Sequence, residues 1–195
     1  MYLNNYKPIG YSPGASTLKQ LFWFFLGDFL FRTHLVPIKA FKVFLLRAFG
    51  AQIGTGVVIK PGVKVKFPWR LKVGDHVWIG ENVWIDNIAP VIIQDHVCVS
   101  QDVYLCTGNH DWRDRNFKLL TGEICIEEGS WIAARSVVGP GVIVGRGAIL
   151  GLGAVASRSL KPMTIYSGNP AQPVKQRNLV SDLSHQSEPI RLPVP

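Results

Sequence analysis

The sequence predicts an all-β chain, folded as a parallel β-helix of about five coils. Residues 126–161 divide into six units of six residues, which are IEEGSW, IAARSV, VGPGVI, VGRGAI, LGLGAV and ASRSLK. An aliphatic residue or alanine opens each unit, a small or aliphatic residue fills its fifth place, and glycine recurs at the second or fourth place. A fixed short period of this kind is typical of parallel β-helices, in which each unit supplies one short strand.

The same pattern recurs upstream in three groups of three units. The groups begin at Ile53, Val73 and Ile93, and each group of eighteen residues corresponds to one coil with three sides. A break of fifteen residues, 111–125, then precedes Ile126. Because fifteen is not a multiple of six, we predict a loop that leaves the prism at a corner.

The chain is expected to have three parts. Residues 1–50 form an N-terminal arm and two hydrophobic helices, and residues 51–161 form the β-helix with its loop at 111–125. Residues 162–195 form a short C-terminal extension that ends in a flexible tail, because this end is rich in proline and serine and poor in apolar residues.

Two apolar helices are predicted in the N-terminal part. A capping-box spacing at Thr17–Gln20 begins the first, and Pro37 opens the second, which is predicted over Ile38–Phe49. The run Leu21–Leu26 is too short for a bilayer span, which needs about 20 apolar residues. Two interpretations stay open. The helices cover the open first coil and pack on a neighbouring subunit, or their aromatic and basic residues rest on a membrane surface.

Composition narrows the possible partners. The formal charge of +8 favours an anionic partner such as a phosphorylated cofactor or an anionic membrane. The chain has no lysine-arginine block of the kind that binds nucleic acid, so no nucleic-acid partner is expected. The three cysteines, Cys98, Cys106 and Cys125, form no CxxC motif, and this odd number favours a reducing, cytoplasmic compartment over a disulfide scaffold.

The chemically informative stretch lies where the repeat fails. His110 ends the last regular unit before the loop, so a rigid rung could hold its ring against a groove. Histidine in general titrates near neutral pH, which suits it for removing a proton from a substrate. Asp111, Asp114 or a backbone carbonyl would orient the ring. The alternative is a surface histidine at the hinge of a loop.

With His110 placed, the chain resembles the hexapeptide-repeat acyltransferases, and within them the acetyltransferases of colanic-acid biosynthesis. The likeness runs from about residue 18 to residue 177 and is marked by the repeats, TGNHD at 107–111 and GNPA at 168–171. Further matching stretches are LLRAFGA (45–51), VIKP (58–61), FPW (67–69), LCTG (105–108) and HD (110–111).

The resemblance implies a left-handed β-helix and a homotrimer whose three sites lie between subunits, with acetyl-CoA along the groove. His110 would act as the general base in a direct transfer to a hydroxyl, with no acyl-enzyme and no metal. The implied acceptor is a sugar in bacterial exopolysaccharide or surface-polysaccharide biosynthesis, which can be lipid-linked. The protein is expected to be cytoplasmic. A lipid-linked acceptor would give the aromatic N-terminal helices a purpose, and on their composition we expect peripheral contact through these helices at the inner face of the membrane.

The resemblance also implies residues that contact the two substrates. The expected acceptor contacts are Asp86 and Asn87. The expected cofactor contacts are Trp131, Ala134, Leu152, Ser157, Lys175 and Arg177. Trp131 would line the path of the pantetheine arm, although packing in the core or between subunits would equally explain a tryptophan there. Lys175 and Arg177 would contact the phosphates of CoA, although both could also be ordinary solvent-exposed cations. Ala133 stands where related sequences commonly have glycine, so a crowded wall would narrow the path.

Three different functions stay open beside this one. The first is a zinc hydratase, because His76 and His96 occupy equivalent places one coil apart and stacked histidines could bind a metal. A zinc site on a β-helix is a known use of this repeat in the γ-class carbonic anhydrases. Those enzymes carry a His-x4-His pair and a third histidine, whereas no two histidines here have that spacing, and a zinc site needs at least three converging ligands. The second is an N-acetyltransferase that acts on an amino sugar, and the third is a scaffold subunit that binds no CoA.

Overall fold

The computed structural model describes residues 3–7, 10–32 and 39–179. The predicted helix start at Pro37 and most of the predicted tail lie outside the described residues. The β-helix has five complete coils, each with three short strands. The first three coils contain β1 (Gln52–Ile53), β2 (Val58–Ile59), β3 (Lys64–Val65), β4 (Leu71–Val73), β5 (Trp78–Ile79), β6 (Trp84–Asp86), β7 (Val91–Ile93), β8 (Cys98–Val99) and β9 (Tyr104–Cys106). A hairpin of β10 (Gly108–His110) and β11 (Leu119–Thr121) follows. The last two complete coils contain β12 (Ile124–Ile126), β13 (Trp131–Ile132), β14 (Val137–Val138), β15 (Ile143–Val144), β16 (Ile149–Leu150) and β17 (Val155–Ala156).

A partial sixth coil closes the C-terminal end of the prism. Leu160 forms a parallel bridge with Val144, and β18 (Thr164–Ser167) adds to the sheet beyond β16. The chain then turns back as β19 (Gln172–Gln176), which pairs antiparallel with β18. The coils wind left-handed, against the right-handed rule that holds for most parallel crossovers.

The strands stack into three parallel sheets, one on each side of the prism. Sheet A contains β1, β4, β7, β12 and β15; sheet B contains β2, β5, β8, β13, β16 and β18, with β19 at its edge; sheet C contains β3, β6, β9, β14 and β17. We name the corners by the two sheets that they join, so that the chain passes the A–B, B–C and C–A corners in every coil.

The core is a stack of side chains from the first and fifth places of the repeat. Ile126, Ile132 and Leu105 are fully buried, and so is Ser136 from a fifth place. In each strand the neighbouring residue points outward, as the exposed Trp131 does beside Ile132. The period of six in the sequence therefore predicts correctly which side chains point into the core, because each side of a coil is one unit of six residues with the same residue places facing inward.

Helices cover the open first coil. They are α1 (Thr17–Phe22), a π-helical turn (Trp23–Gly27), α2 (Asp28–Arg32) and α3 (Lys39–Ala48). The N-cap of α1 is Ser16, one residue before the predicted start, and its side chain accepts a hydrogen bond from the backbone of Lys19. Within the described part of the chain, no helix is long and apolar enough to cross a membrane.

The helices also provide hydrogen-bond donors to the first coil. The buried Trp23 donates from Nε1 to the carbonyl of Val65 at 2.9 Å, and Arg47 donates to the carbonyl of Ile53 at 2.7 Å. A first rung without such partners would expose a row of unpaired carbonyls, which is a site for unwanted strand pairing. Gly27 is required here, because a Cβ at this position would lie 2.3 Å from the Trp23 ring.

Candidate active site

The excursion after the third coil is a β-hairpin that begins earlier than the predicted loop. Strands β10 and β11 pair antiparallel, with His110 opposite Leu119, and the chain re-enters the prism at Ile124. The hairpin leaves from the C–A corner, because it follows β9 of sheet C and precedes β12 of sheet A. Gly108 permits close passage over the prism, since a Cβ there would lie 2.5 Å from the side chain of Ile88.

Phe117 holds the His110 ring in one orientation. Nδ1 of His110 lies 2.8 Å from the carbonyl oxygen of Phe117, and the two rings stack at 4.0 Å with an interplanar angle of 3°. A carbonyl oxygen accepts only, so Nδ1 must carry the proton and donate. In the neutral ring this leaves Nε2 with its lone pair free to accept a proton.

The structure therefore selects the backbone carbonyl from the three groups that the sequence offered for orienting His110. Both carboxylate oxygens of Asp111 accept hydrogen bonds from the Arg113 side chain, at 3.0 and 3.2 Å. These bonds hold the pKa of Asp111 below its ordinary value. Asp114 accepts a hydrogen bond from the backbone of Asn116 at 2.7 Å. Both carboxylates thus stabilise the loop of the hairpin.

The N-terminal arm also reaches the His110 ring. Tyr6 contacts it edge-on, with ring centroids 5.6 Å apart and an interplanar angle of 64°. Trp69 anchors the arm by donating from Nε1 to the carbonyl of Pro13 at 2.8 Å. Sequence reasoning missed both Tyr6 and Phe117. No local signal points to Tyr6, which lies 104 positions before His110. Phe117 could have been noticed, because it is an aromatic residue inside the predicted loop.

Asp86 lies at the root of the hairpin. One carboxylate oxygen is 2.9 Å from Nζ of Lys66, and the other accepts a hydrogen bond from the hydroxyl of Tyr104 at 3.0 Å. The carbonyl of Asp86 accepts from the hydroxyl of Thr107 at 2.9 Å. Burial raises the pKa of Tyr104, and its contacts with Cys106 and Asp86 raise the pKa further. Tyr104 therefore stays a protonated donor to the Asp86 carboxylate.

Asn87 has a different position from the one expected of an acceptor contact. Its side chain is fully buried and binds both polar groups of one backbone residue. Its Oδ1 accepts from the Phe67 amide at 2.9 Å, and its Nδ2 donates to the Phe67 carbonyl at 2.7 Å. We correct the expectation accordingly: in this chain Asn87 stabilises the turn at Phe67 and faces no groove.

Three of the six expected cofactor residues lie together. Trp131 projects from the outer face of sheet B, and its Nε1 donates to Ser100 at 2.9 Å. Ala134 and Leu152 occupy the next corner, B–C, in successive coils, and the Gly153 amide donates to the Ala134 carbonyl at 3.0 Å. Leu152 is 73% exposed. The neighbouring Ala133 is buried, so it does not crowd the outer wall.

The remaining three expected cofactor residues are dispersed. Ser157 is exposed at the C–A corner, and Lys175 is exposed on β19. Arg177 lies at the A–B corner, where its Nη1 donates to the carbonyls of Gly129 and Gly147 at 2.8 and 2.9 Å. Arg177 thus links the turns of two coils. Both bonds come from Nη1, and Nε and Nη2 of the guanidinium group take part in neither.

A single chain does not bring all of these residues to one place. His110 lies at the C–A corner, whereas Trp131, Ala134 and Leu152 lie on sheet B and the B–C corner. These two regions are at opposite ends of sheet C. A ligand that contacts both on one chain would have to cross the outer face of that sheet.

His76 and His96 stack as their places in the repeat predict. Their rings are 5.2 Å apart with an interplanar angle of 14°, and both residues have a positive φ, 55° and 57°, at the A–B corner. Among residues 3–7, 10–32 and 39–179, no group of three or more His, Cys, Asp or Glu side chains is arranged to hold a metal ion.

Comparison with known proteins identifies relatives over most of the chain. No protein-family model matches. WcaF of Escherichia coli (strain K12), named as a colanic acid biosynthesis acetyltransferase, is 35% identical over 164 residues, which are 84% of this chain and 90% of WcaF.

Solved structures share the fold. A hexapeptide-repeat acetyltransferase of Vibrio cholerae in complex with acetyl coenzyme A has a TM-score of 0.77 at 22% identity, over 90% of this chain and 97% of that one. A galactoside acetyltransferase in complex with coenzyme A has a TM-score of 0.75 at 20% identity, over 90% of this chain and 93% of that one. The chain therefore belongs to the hexapeptide-repeat acetyltransferase family that includes the acetyltransferase of colanic acid biosynthesis.

Proposed function

We propose that this enzyme transfers an acetyl group from acetyl-CoA directly to a hydroxyl group of a saccharide, with His110 as the general base. The observation that carries the proposal is the hydrogen bond from Nδ1 of His110 to the carbonyl of Phe117 at 2.8 Å. It leaves Nε2 as a proton acceptor on a ring that stacking holds in place. A general base requires both properties.

The proposed reaction needs no covalent enzyme intermediate. Nε2 of His110 removes the proton as the acceptor oxygen attacks the thioester carbonyl carbon. The new carbon–oxygen bond forms and the carbon–sulfur bond breaks. The proton held on Nε2 then passes to the departing thiolate, which leaves as CoA-SH and restores the neutral imidazole. The phenol of Tyr6 and the ring of Phe117 pack against the imidazole, so they restrict its motion while the charge on the ring changes.

We place the active site between two copies of the chain. His110 lies at the C–A corner and Trp131 on sheet B next to the B–C corner, so a second copy that packs beside the first can bring its Trp131 surface to the hairpin. The expected trimer would then contain three such sites. Trp131, Ala134 and Leu152 would line the path of the pantetheine arm. Lys175, Ser157 and the free part of the Arg177 guanidinium would contact the rest of CoA.

The identity of the acceptor rests on the relatives and on Asp86. The relative WcaF is named for colanic acid biosynthesis, which supports a sugar hydroxyl of a bacterial surface polysaccharide as the acceptor, acetylated in the cytoplasm. Asp86 is the one expected acceptor contact that remains. Its carboxylate side chain is 15% exposed and already holds Lys66 and Tyr104. We infer that it positions the hairpin root beside the acceptor.

Release of CoA in the presence of acetyl-CoA and a panel of saccharides tests the proposal. His110→Ala should lower turnover by about 10²–10⁴-fold, which is the usual contribution of a general base. His96→Ala is the matched control, because it removes an exposed histidine that belongs to the rival metal site and should leave turnover unchanged. Loss of activity in the control but not in His110→Ala would overturn the proposal in favour of the stacked histidines.

The panel also separates O-acetylation from N-acetylation. Each neutral sugar is paired with the corresponding amino sugar, and the product is treated with mild base, which cleaves esters but not amides. We expect a base-labile product. A product that survives the treatment and forms only with amino sugars would establish N-acetyl transfer instead.

A further inference from the structure

An exposed apolar surface covers the N-terminal end of the prism. It consists of large side chains on the helices, each about half exposed or more. They are Leu18, Leu21, Phe22, Phe24, Phe25, Leu26, Phe29 and Phe44. We call these eight residues the N-terminal apolar surface. Phe24 and Phe25 are 69% and 70% exposed, and an apolar area of this kind on a folded protein usually marks an interaction site.

Folding of the chain does not explain these exposed residues. The opposite face of the same helices covers the first coil through Trp23 and Phe31, which are 3% and 0% exposed. Trp23 also caps the carbonyl of Val65. The helices thus have one face for the prism and a second apolar face that none of the residues 3–7, 10–32 and 39–179 covers.

Positive charge is concentrated at the same end. Residues 1–66 contain nine lysines and arginines and one acidic residue, which gives +8, whereas residues 67–195 contain twelve of each and are neutral. The whole net charge therefore belongs to the arm, the helices and the first coil. Lys64 and Lys66 line a groove of about 540 Å³ together with Leu21 and Phe24, so cations and the N-terminal apolar surface are adjacent.

We propose that the N-terminal apolar surface docks on an anionic lipid bilayer. Its phenylalanine and leucine side chains enter the boundary between headgroups and acyl chains, while Lys60 and Lys64 face the lipid phosphates. Apolar side chains beside cations are the combination that binds helices in the plane of such an interface. A second copy docked end to end through this surface is the poorer occupant, because it would bring two charges of +8 from residues 1–66 face to face, and these repel each other.

The groove beside the N-terminal apolar surface lies on sheet C, below the candidate active site. Trp84 forms part of the groove wall and stacks on Tyr104, one coil higher, with ring centroids 4.6 Å apart. The chain runs from Tyr104 to His110 within the same coil and hairpin root. A protein docked in this way would hold His110 close to the membrane surface, within reach of an acceptor that is itself anchored there.

Sedimentation with vesicles tests the docking without any measurement of activity. The full chain is mixed with vesicles of phosphatidylcholine alone, or of phosphatidylcholine with about a third phosphatidylglycerol. We expect binding to the anionic vesicles that weakens as salt is raised. The double variant Phe24→Ser/Phe25→Ser should bind at least about tenfold more weakly. Val174→Ser, which removes a 62% exposed apolar side chain at the other end of the prism, should bind like the wild type.

A second pair of variants tests the charge. Lys60→Glu should weaken binding to anionic vesicles by about fivefold or more, whereas Lys161→Glu, an exposed lysine near the C-terminal end, should have little effect. The proposal is wrong if the wild type binds neither kind of vesicle, or if the phenylalanine variant binds as tightly as the wild type. It is also wrong if the phenylalanine variant instead splits a larger assembly in light scattering, which would assign the surface to a second copy.

Discussion

The backbone carbonyl of Phe117 accepts a hydrogen bond from Nδ1 of His110 at 2.8 Å, while the Phe117 ring stacks on the imidazole at 4.0 Å. One residue therefore fixes both the tautomer and the plane of the proposed base. Phe117 adopts a positive φ of 54°, a conformation that is uncommon for a residue other than glycine. The hairpin stabilises this backbone and thereby directs the carbonyl towards the imidazole.

Removal of the Phe117 ring should impair catalysis without unfolding the protein. Phe117→Ala keeps the carbonyl acceptor but lets the imidazole tilt, so we expect kcat to fall by about 10- to 100-fold. Phe117→Tyr keeps the stacking ring and should stay close to wild type. Steady-state kinetics and thermal unfolding measure the two effects. A wild-type kcat in Phe117→Ala would show that stacking does not position the base.

Replacement of Asn87 should lower stability before it changes acceptor binding. In Asn87→Ala the Phe67 amide and carbonyl lose their partners, and we expect a loss of about 1–3 kcal/mol in the free energy of unfolding. KM for the acceptor should change little, since the side chain is fully buried. The opposite pattern, with unchanged stability and a raised KM, would restore Asn87 as an acceptor contact.

Leu105 and Leu18 differ in burial and should therefore differ in their contribution to stability. Leu105 is fully buried in the stack and Leu18 is 65% exposed on α1. Leu105→Ala should cost about 2–5 kcal/mol of unfolding free energy through the cavity that it leaves. Leu18→Ala should change stability by no more than about 0.5 kcal/mol. Chemical denaturation of both variants, without lipid, compares them, and equal losses would contradict the packing described.

The Asp111–Arg113 pair predicts a defined effect of acid. Because the Arg113 hydrogen bonds lower the pKa of Asp111 in the folded protein, the pair stabilises the loop above the ordinary aspartate pKa of about 3.9. This contribution is lost as the pH falls through the lowered pKa. Arg113→Ala should move the Asp111 midpoint upward in a carboxyl NMR titration. Arg115→Ala, the neighbouring arginine, should not. Identical midpoints in all three proteins would exclude the pair as the cause.

The β-helix could be predicted from the sequence because each coil repeats the same local rule. The first-place residues, such as Ile126 and Ile132, are buried wherever they occur, so their period reports the prism directly. His110 could be found for the same reason, since it ends the last regular unit before the repeat stops. The pairing of β10 with β11 could not be predicted, because hairpin pairing outside the repeat has no period.

Contacts between distant parts of the chain could not be predicted either. The edge-on contact of Tyr6 with His110 joins the N-terminal arm to the third coil, and no local pattern encodes it. Asn87 was expected to meet the acceptor because it follows Asp86 near the root of the loop. Only the folded chain shows that the Asn87 amide turns inward to Phe67, while Asp86 holds Lys66 and Tyr104.

The rate of acetyl transfer from acetyl-CoA to a saccharide hydroxyl, compared between wild type and His110→Ala, tests the central proposal most directly. Both proteins are assayed at saturating acetyl-CoA, after CoA binding has been measured by calorimetry. We predict unchanged CoA affinity and a rate that is lower by about 10²–10⁴-fold in the variant. A variant that binds CoA and transfers acetyl as fast as the wild type would contradict the assignment of His110 as the base.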